Sequence, residues 1–125
     1  MNIPADLKYT KEHEWVKIQG NMATIGITDF AQGELGDIVF VEIETEGEDL
    51  EAGEVFGTIE AVKTVSDLFM PFDGHIKEFN SELEDNPELV NDDPYGKGWM
   101  IKVEIDGDVD TSHLMSAEDY KAIIG

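Results

Sequence analysis

Lys63 is the side chain whose type and setting best suit covalent chemistry. It lies in "EAVKTVSDLFMPFDGHI", Glu60 to Ile76, an apolar and strand-like stretch, and between Ile18 and Gly96 only Lys63 and Lys77 carry positive charge. A lone primary amine can act as a Schiff-base nucleophile or be acylated by another enzyme. Acidic neighbours such as Glu60 and Asp67 stabilise the ammonium form, which works against the first role. The second survives, because a modifying enzyme can deprotonate the amine inside its own site. Acylation would remove the charge and add a long arm, whose chemistry would then belong to the attached group.

Other candidate groups are weaker. His13, His75 and His113 are isolated from one another, and His13 beside Trp15 reads as a surface or half-buried strand residue. "DGDVD", Asp106 to Asp110, imitates the opening of a calcium loop, but Thr111 stands where such a loop needs glycine and Ala117 where it needs a bidentate glutamate, so it reads as a solvated turn. Gly33, Gly36, Gly53, Gly57 and Gly74 form no phosphate-cradling pattern, and no Ser-His-Asp arrangement is indicated. The chain has no cysteine, which excludes disulfides and thiolate metal sites and leaves no protein thiol to exchange with a bound disulfide.

The charge balance excludes whole classes of partner. Eight lysines and no arginine face 29 Asp and Glu, for a net charge of -21, so nucleic acid and anionic membrane surfaces are repelled. The same acidity favours solubility and a monomer. The amino terminus, "MNIPADLKYTKEHEWV", lacks the basic flank and apolar core of a secretory signal, and no apolar run approaches membrane-spanning length, so a cytoplasmic protein is expected. At 125 residues the chain is expected to form a single domain, 1–125.

Positioning Lys63 falls mostly to short strands. "HEWVKIQGNMATIGI" alternates around a Gly20-Asn21 turn and predicts a hairpin. "TDFAQGELG" predicts one or two helical turns capped by Thr28 or Asp29 and closed by Gly36. "DIVFVEI" and "EVFGTIEAV" predict strands separated by a turn-like "EGEDLEAG". "LFM" and "HIKEF" flank Pro71 and an Asp73-Gly74 turn, "SELEDNPELVNDDPYGKG" is helical or looped, and "WMIKVEI" is a strand. "SAEDYKAII" predicts a closing helix at about 116–124, with Ser116 as N-cap and an apolar face of Tyr120, Ile123 and Ile124. Around Lys63 two arms of similar length, Gly53 to Val62 and Thr64 to Ile76, suggest a hairpin with the lysine at its tip, where a large partner can reach it.

The stretch "GTIEAVKTVSDLFMPFDGHI" resembles the lipoyl-lysine motif of the glycine cleavage H-protein family. "LKYTKEHEWV", "ATIGITDFAQGELGDIVFVEI", "LEDNPELVNDDPYGKGW" and "MIKVEI" resemble the same family in order through nearly the whole chain. The resemblance implies a mainly β, barrel-sandwich hybrid of the biotinyl/lipoyl type with short added helices. It implies lipoate in amide linkage to Lys63, with Glu60, Val62, Thr64 and Asp67 recognised around it. It also implies a non-catalytic carrier serving four partners. A pyridoxal-phosphate glycine decarboxylase (P protein) would load an aminomethyl group, a tetrahydrofolate-dependent aminomethyltransferase (T protein) would unload it, dihydrolipoyl dehydrogenase (L protein) would reoxidise the dithiol, and a ligase or transferase would attach the lipoate. Glu14 and Asp67 match positions beside the cleft that shelters the loaded arm, while Glu12 stands where the family commonly has a small hydroxyl residue.

Four alternatives remain at this level. A biotin carrier usually flanks its lysine with methionines, whereas this chain has Val62 and Thr64. A lipoyl domain of a 2-oxoacid dehydrogenase normally belongs to a longer chain. A relay that hands lipoyl groups to other enzymes has the same sequence as a shuttle. An unmodified interaction module would keep the fold without the arm.

Overall fold

The computed structural model describes residues 2–107 and 109–124, so Asp108 of the acidic turn and the terminal Met1 and Gly125 lie outside the described residues. The elements run β1 (Lys8–Tyr9), β2 (Glu14–Gln19), β3 (Met22–Ile27), α1 (Asp29–Leu35), β4 (Ile38–Glu42), β5 (Asp49–Leu50), β6 (Val55–Ala61), β7 (Val65–Phe69), β8 (Gly74–Phe79), α2 (Glu82–Asp85), α3 (Leu89–Asp92), β9 (Ile101–Glu104) and α4 (Ala117–Ile124). They make two antiparallel sheets, one ordered β1-β2-β3-β9-β8-β5 and the other β4-β6-β7. The fold is mainly β, a lipoyl-domain-like barrel-sandwich with short helices added.

Alternation in the strands explains how the layers form. On β2, Val16 joins the main core while its neighbour Trp15 points to the opposite face and joins a second cluster with Tyr9, Ala117 and Tyr120. The main core draws Ile25, Ile76, Ile101 and Val103 from the larger sheet and Val41, Ile59 and Leu68 from the smaller one. Each such side chain contributes roughly 1.5–3 kcal/mol by leaving water. The second cluster fastens α4 to the outside of the larger sheet, where the Tyr9 and Tyr120 rings stack at 4.8 Å.

Local signals act as the sequence predicts at several ends. The β2–β3 hairpin pairs Gln19 with Met22 across Gly20-Asn21, and Gly20 takes the left-handed φ of 64° that this turn needs. Thr28 caps α1 by accepting the Ala31 N–H at 3.1 Å, and Gly36 closes it at φ 81°. Ser116 Oγ accepts the Asp119 N–H at 3.2 Å ahead of α4.

Three expectations need correction. "EGEDLEAG" is more than a turn, because Asp49 and Leu50 form β5 and pair with His75 and Gly74. The arm after Lys63 is shorter than expected: β7 stops at Phe69, and Gly74 starts β8 in the other sheet. Pro71 lies in the crossing, where it has no N–H to offer a ladder. On α4, Tyr120 is buried but Ile123 is exposed, because the helix presents only one side to the second cluster. Among the described residues no helix is long and apolar enough to cross a membrane.

Candidate functional site

Lys63 stands at the tip of the β6–β7 hairpin, exposed on the surface. The flanking strands are paired Thr58 with Asp67 and Glu60 with Val65, and the Ala61 N–H donates to the Thr64 carbonyl at 2.8 Å to close the tip. A second bond, from the Val62 N–H to the Asp37 carbonyl at 3.1 Å, holds the tip against the start of β4. The paired strands therefore fix the lysine Cα while its long side chain remains outside.

The ground beneath the tip is pinned by Asn91. Its Oδ1 accepts the Ile38 N–H at 2.9 Å, and its Nδ2 donates to Gln32 Oε1 and to the Gly36 carbonyl, both at 2.9 Å. The orphan carbonyl at the end of α1 and the leading amide of β4 are thus both satisfied by one side chain. Gly36 lies under the lysine stem: a methyl group there would stand 3.5 Å from Lys63 Cε and would need the left-handed φ as well. The described ion pairs, His75 with Asp49 and Lys102 with Glu78, do not include Lys63.

The four residues expected around the lysine do share its neighbourhood. Glu60, Val62, Thr64 and Asp67 are all exposed, Val62 at 76%. Across the outer face of the small sheet, Phe40 pairs with Glu60 and Glu60 with Val65, so exposed Val39, Phe40 and Val65 adjoin the tip. Val39 and Phe40 escaped the sequence reading because "DIVFVEI" looks like a buried strand. The β-bulge between Ile38 and Phe40 turns both outward.

A cleft of about 330 Å³ opens beside the hairpin. Ile27, Phe30, Leu35, Ile59 and Leu68 supply its apolar surface, and Glu12, His13, Glu34 and Asp67 its polar groups. Asp67 is four residues along the strand direction from Lys63, roughly 13 Å in an extended chain. A cavity with an apolar floor and several carboxylates suits a flexible apolar arm that ends in a cation. A larger acidic depression of about 670 Å³ lies around β5 and β8, with Asp49, Glu51, Asp73 and His75. Among the described residues no group of three or more metal-ligating side chains converges.

Glu14 does not line the cleft, although it was expected beside it. It shares a face of β2 with core residue Val16 and is only 2% exposed. Its Oε2 accepts the Phe69 N–H at 3.0 Å and its Oε1 the Thr10 hydroxyl at 3.3 Å. Burial pushes the Glu14 carboxyl up to about 8, outweighing those two bonds, which act the other way. The alternation of "EWVKI", which places Glu14 with Val16, carried the signal for this burial. Glu12, in the loop before β2, takes a place on the cleft instead.

His13 is half-buried, as the sequence suggests, but it belongs to the loop joining β1 and β2 and not to a strand, and it lines the cleft. Its φ of 65° is unusual for a side chain larger than glycine. That conformation suits the last loop residue, whose N–H donates to the Thr10 carbonyl at 3.1 Å. Its ring lies 5.0 Å from Phe30, and its Nδ1 is 2.9 Å from the Tyr120 hydroxyl. The positive φ and the tie to α4 are invisible to sequence pattern.

With this geometry in hand, comparison with known proteins is specific. A sequence model described as "Glycine cleavage H-protein" matches residues 7–125. The chain is 60% identical over 124 residues to the glycine cleavage system H protein of Bacteroides fragilis, covering 99% of this chain and 98% of that one. It is 55% identical over 125 residues to the H protein of Staphylococcus saprophyticus, covering 100% and 99%. The crystal structure of a glycine cleavage system H protein from Mycobacterium marinum superposes with a TM-score of 0.87 at 40% identity, covering 97% of this chain and 98% of that one.

Proposed function

The chain belongs to the glycine cleavage H-protein family, and from that premise we propose that Lys63 carries lipoate in amide linkage while the cleft beside Asp67 shelters the loaded arm. The H protein is the lipoyl carrier that shuttles intermediates among the P, T and L proteins of the glycine cleavage system. Held on Lys63, the lipoyl group would supply dithiol–disulfide chemistry to glycine decarboxylase, the aminomethyltransferase and dihydrolipoyl dehydrogenase in turn.

The residues present fit that group. Lys63 offers an exposed amine at a rigid tip, and nothing in the described ion pairs competes for it. The apolar residues of the cleft can take an aliphatic arm, while Glu12, Glu34 and Asp67 can meet a cationic amine at its end. Glu14 supports this arrangement from behind, by holding Phe69 two residues after Asp67. The attaching ligase or transferase reads Glu60, Val62, Thr64 and Asp67 on the surface around the lysine. Residues 1–125 act as one carrier domain that catalyses no step itself. Tethering raises the effective concentration of the carried group at a docked active site to roughly the millimolar range.

The exposed lysine at the closed β6–β7 tip carries this reading. Intact mass of the protein from its native cell tests it: the expected result is a lipoyl-sized increment that vanishes in Lys63→Ala. An unmodified native mass under active lipoate synthesis would refute it, as would an increment that survives Lys63→Ala.

A further inference from the structure

A chain of hydrogen bonds links the closing helix to the cleft wall. The Tyr120 hydroxyl lies 2.7 Å from Thr28 Oγ1 and 2.9 Å from His13 Nδ1. Thr28 is fully buried, and its Oγ1 already accepts the Ala31 N–H. Among the described residues the only other partner of that hydroxyl is Tyr120, so its proton has one acceptor. Were Tyr120 to donate toward Thr28, a buried O–H would have no acceptor. Thr28 therefore donates to Tyr120, Tyr120 donates to His13 Nδ1, and the proton of the neutral imidazole resides on Nε2.

The backbone holds His13 to this arrangement. Its carbonyl accepts the Thr28 N–H at 3.0 Å, its φ is 65°, and its ring rests against Phe30. A strained conformation kept in place by bonds on both sides points to a use for the ring. Among the described residues Nε2 has no hydrogen-bond partner, and the residue lines the cleft.

We propose that Tyr120 is a positioning residue that fixes the neutral His13 ring as its Nε2–H tautomer, so that the cleft wall presents an N–H donor to the stored arm. This rests on the cleft reading above. It divides the labour of the cleft: Glu12, Glu34 and Asp67 meet the cation, and the His13 Nε2–H meets an acceptor.

The test is long-range proton–nitrogen NMR of the histidine rings, on protein without cargo, at pH 7.5. The expected spectrum shows His13 in a single tautomer, with Nδ1 unprotonated. Tyr120→Phe, which keeps the ring stacked on Tyr9, should average the two tautomers, and Thr28→Ser, which keeps the hydroxyl, should not. A native His13 protonated on Nδ1, or a spectrum unchanged in Tyr120→Phe, overturns the proposal. In the lipoylated, aminomethyl-loaded protein, Tyr120→Phe should speed hydrolysis of the aminomethyl group to formaldehyde and ammonia about fivefold, the effect of one hydrogen bond. An unchanged rate in a protected carrier also overturns it. If the native loaded protein releases formaldehyde and ammonia as fast as its urea-unfolded form, the shelter reading fails instead, and the tautomer result stands separately.

Discussion

Glu14 on β2 accepts the Phe69 N–H of β7 at 3.0 Å, joining the larger sheet to the smaller one directly behind the cleft. The carboxyl that does so is buried and pushed up to about 8, so at neutral pH it is held mainly in its protonated form. Its sequence neighbour on the same strand, Trp15, faces the other way and donates its ring N–H to the Pro94 carbonyl at 2.8 Å.

That burial sets a pH dependence. The folded carboxyl binds its proton more tightly than the unfolded one, so from about pH 4.5 to about pH 8 unfolding releases a proton and stability falls as pH rises. Below that window both states are protonated and nothing is lost; above it the full cost is present. Glu14→Gln keeps a neutral group of similar shape and removes the cost. The stability of the variant relative to the native protein should rise between pH 5 and pH 9 by a few kcal/mol. Urea unfolding at the two pH values measures this, and a difference independent of pH would contradict it.

Asn91→Ala should cost about 2–3 kcal/mol, because the Ile38 N–H and the Gly36 carbonyl lose their shared partner. The urea midpoint should fall with little change in slope. Amide exchange at Val62 should quicken, since its bond to Asp37 rests on the same ground.

Gly26→Ala should cost roughly 2–3 kcal/mol. A methyl group there would stand 2.7 Å from Trp15 Nε1 and 2.8 Å from Cε2, and that ring is buried and hydrogen-bonded. Thermal unfolding and tryptophan fluorescence should both register the displaced ring. Gly33→Ala, inside α1 with open space around the added carbon, should leave the fluorescence unchanged and raise stability by roughly 0.5–1 kcal/mol.

Asp67→Asn should speed hydrolysis of the aminomethyl group from the loaded carrier by up to about fivefold, the range for an exposed charge pair. Added salt should accelerate loss from the native protein more than from the variant, because screening removes the same interaction. Glu12→Ser separates the two acids: if it matches Asp67→Asn, both carboxylates hold the cargo.

The chemistry could be read before the fold. Lys63 was visible as an isolated cation between two strand-like arms, and local rules placed the β2–β3 hairpin, the Thr28 cap and the closing helix after Ser116. These depend on neighbours a few residues apart, which is the range over which turns, caps and side-chain alternation act. Sequence also marked Asp67 and Glu60 as residues near the lysine, because they share its hairpin.

Tertiary structure decided everything that depends on which strands become neighbours. The crossing at Pro71 sends β8 away from the hairpin, the bulge in β4 turns Val39 and Phe40 outward, and Asn91 reaches back 55 residues to the end of α1. It separated Glu14 from Glu12, burying one and placing the other on the cleft. It joined His13 to Tyr120 across 107 positions. Composition and spacing set which groups a chain can offer. Their protonation, tautomer and exposure follow from the partners that packing brings within hydrogen-bond distance, and in this protein those partners come from opposite ends of the chain.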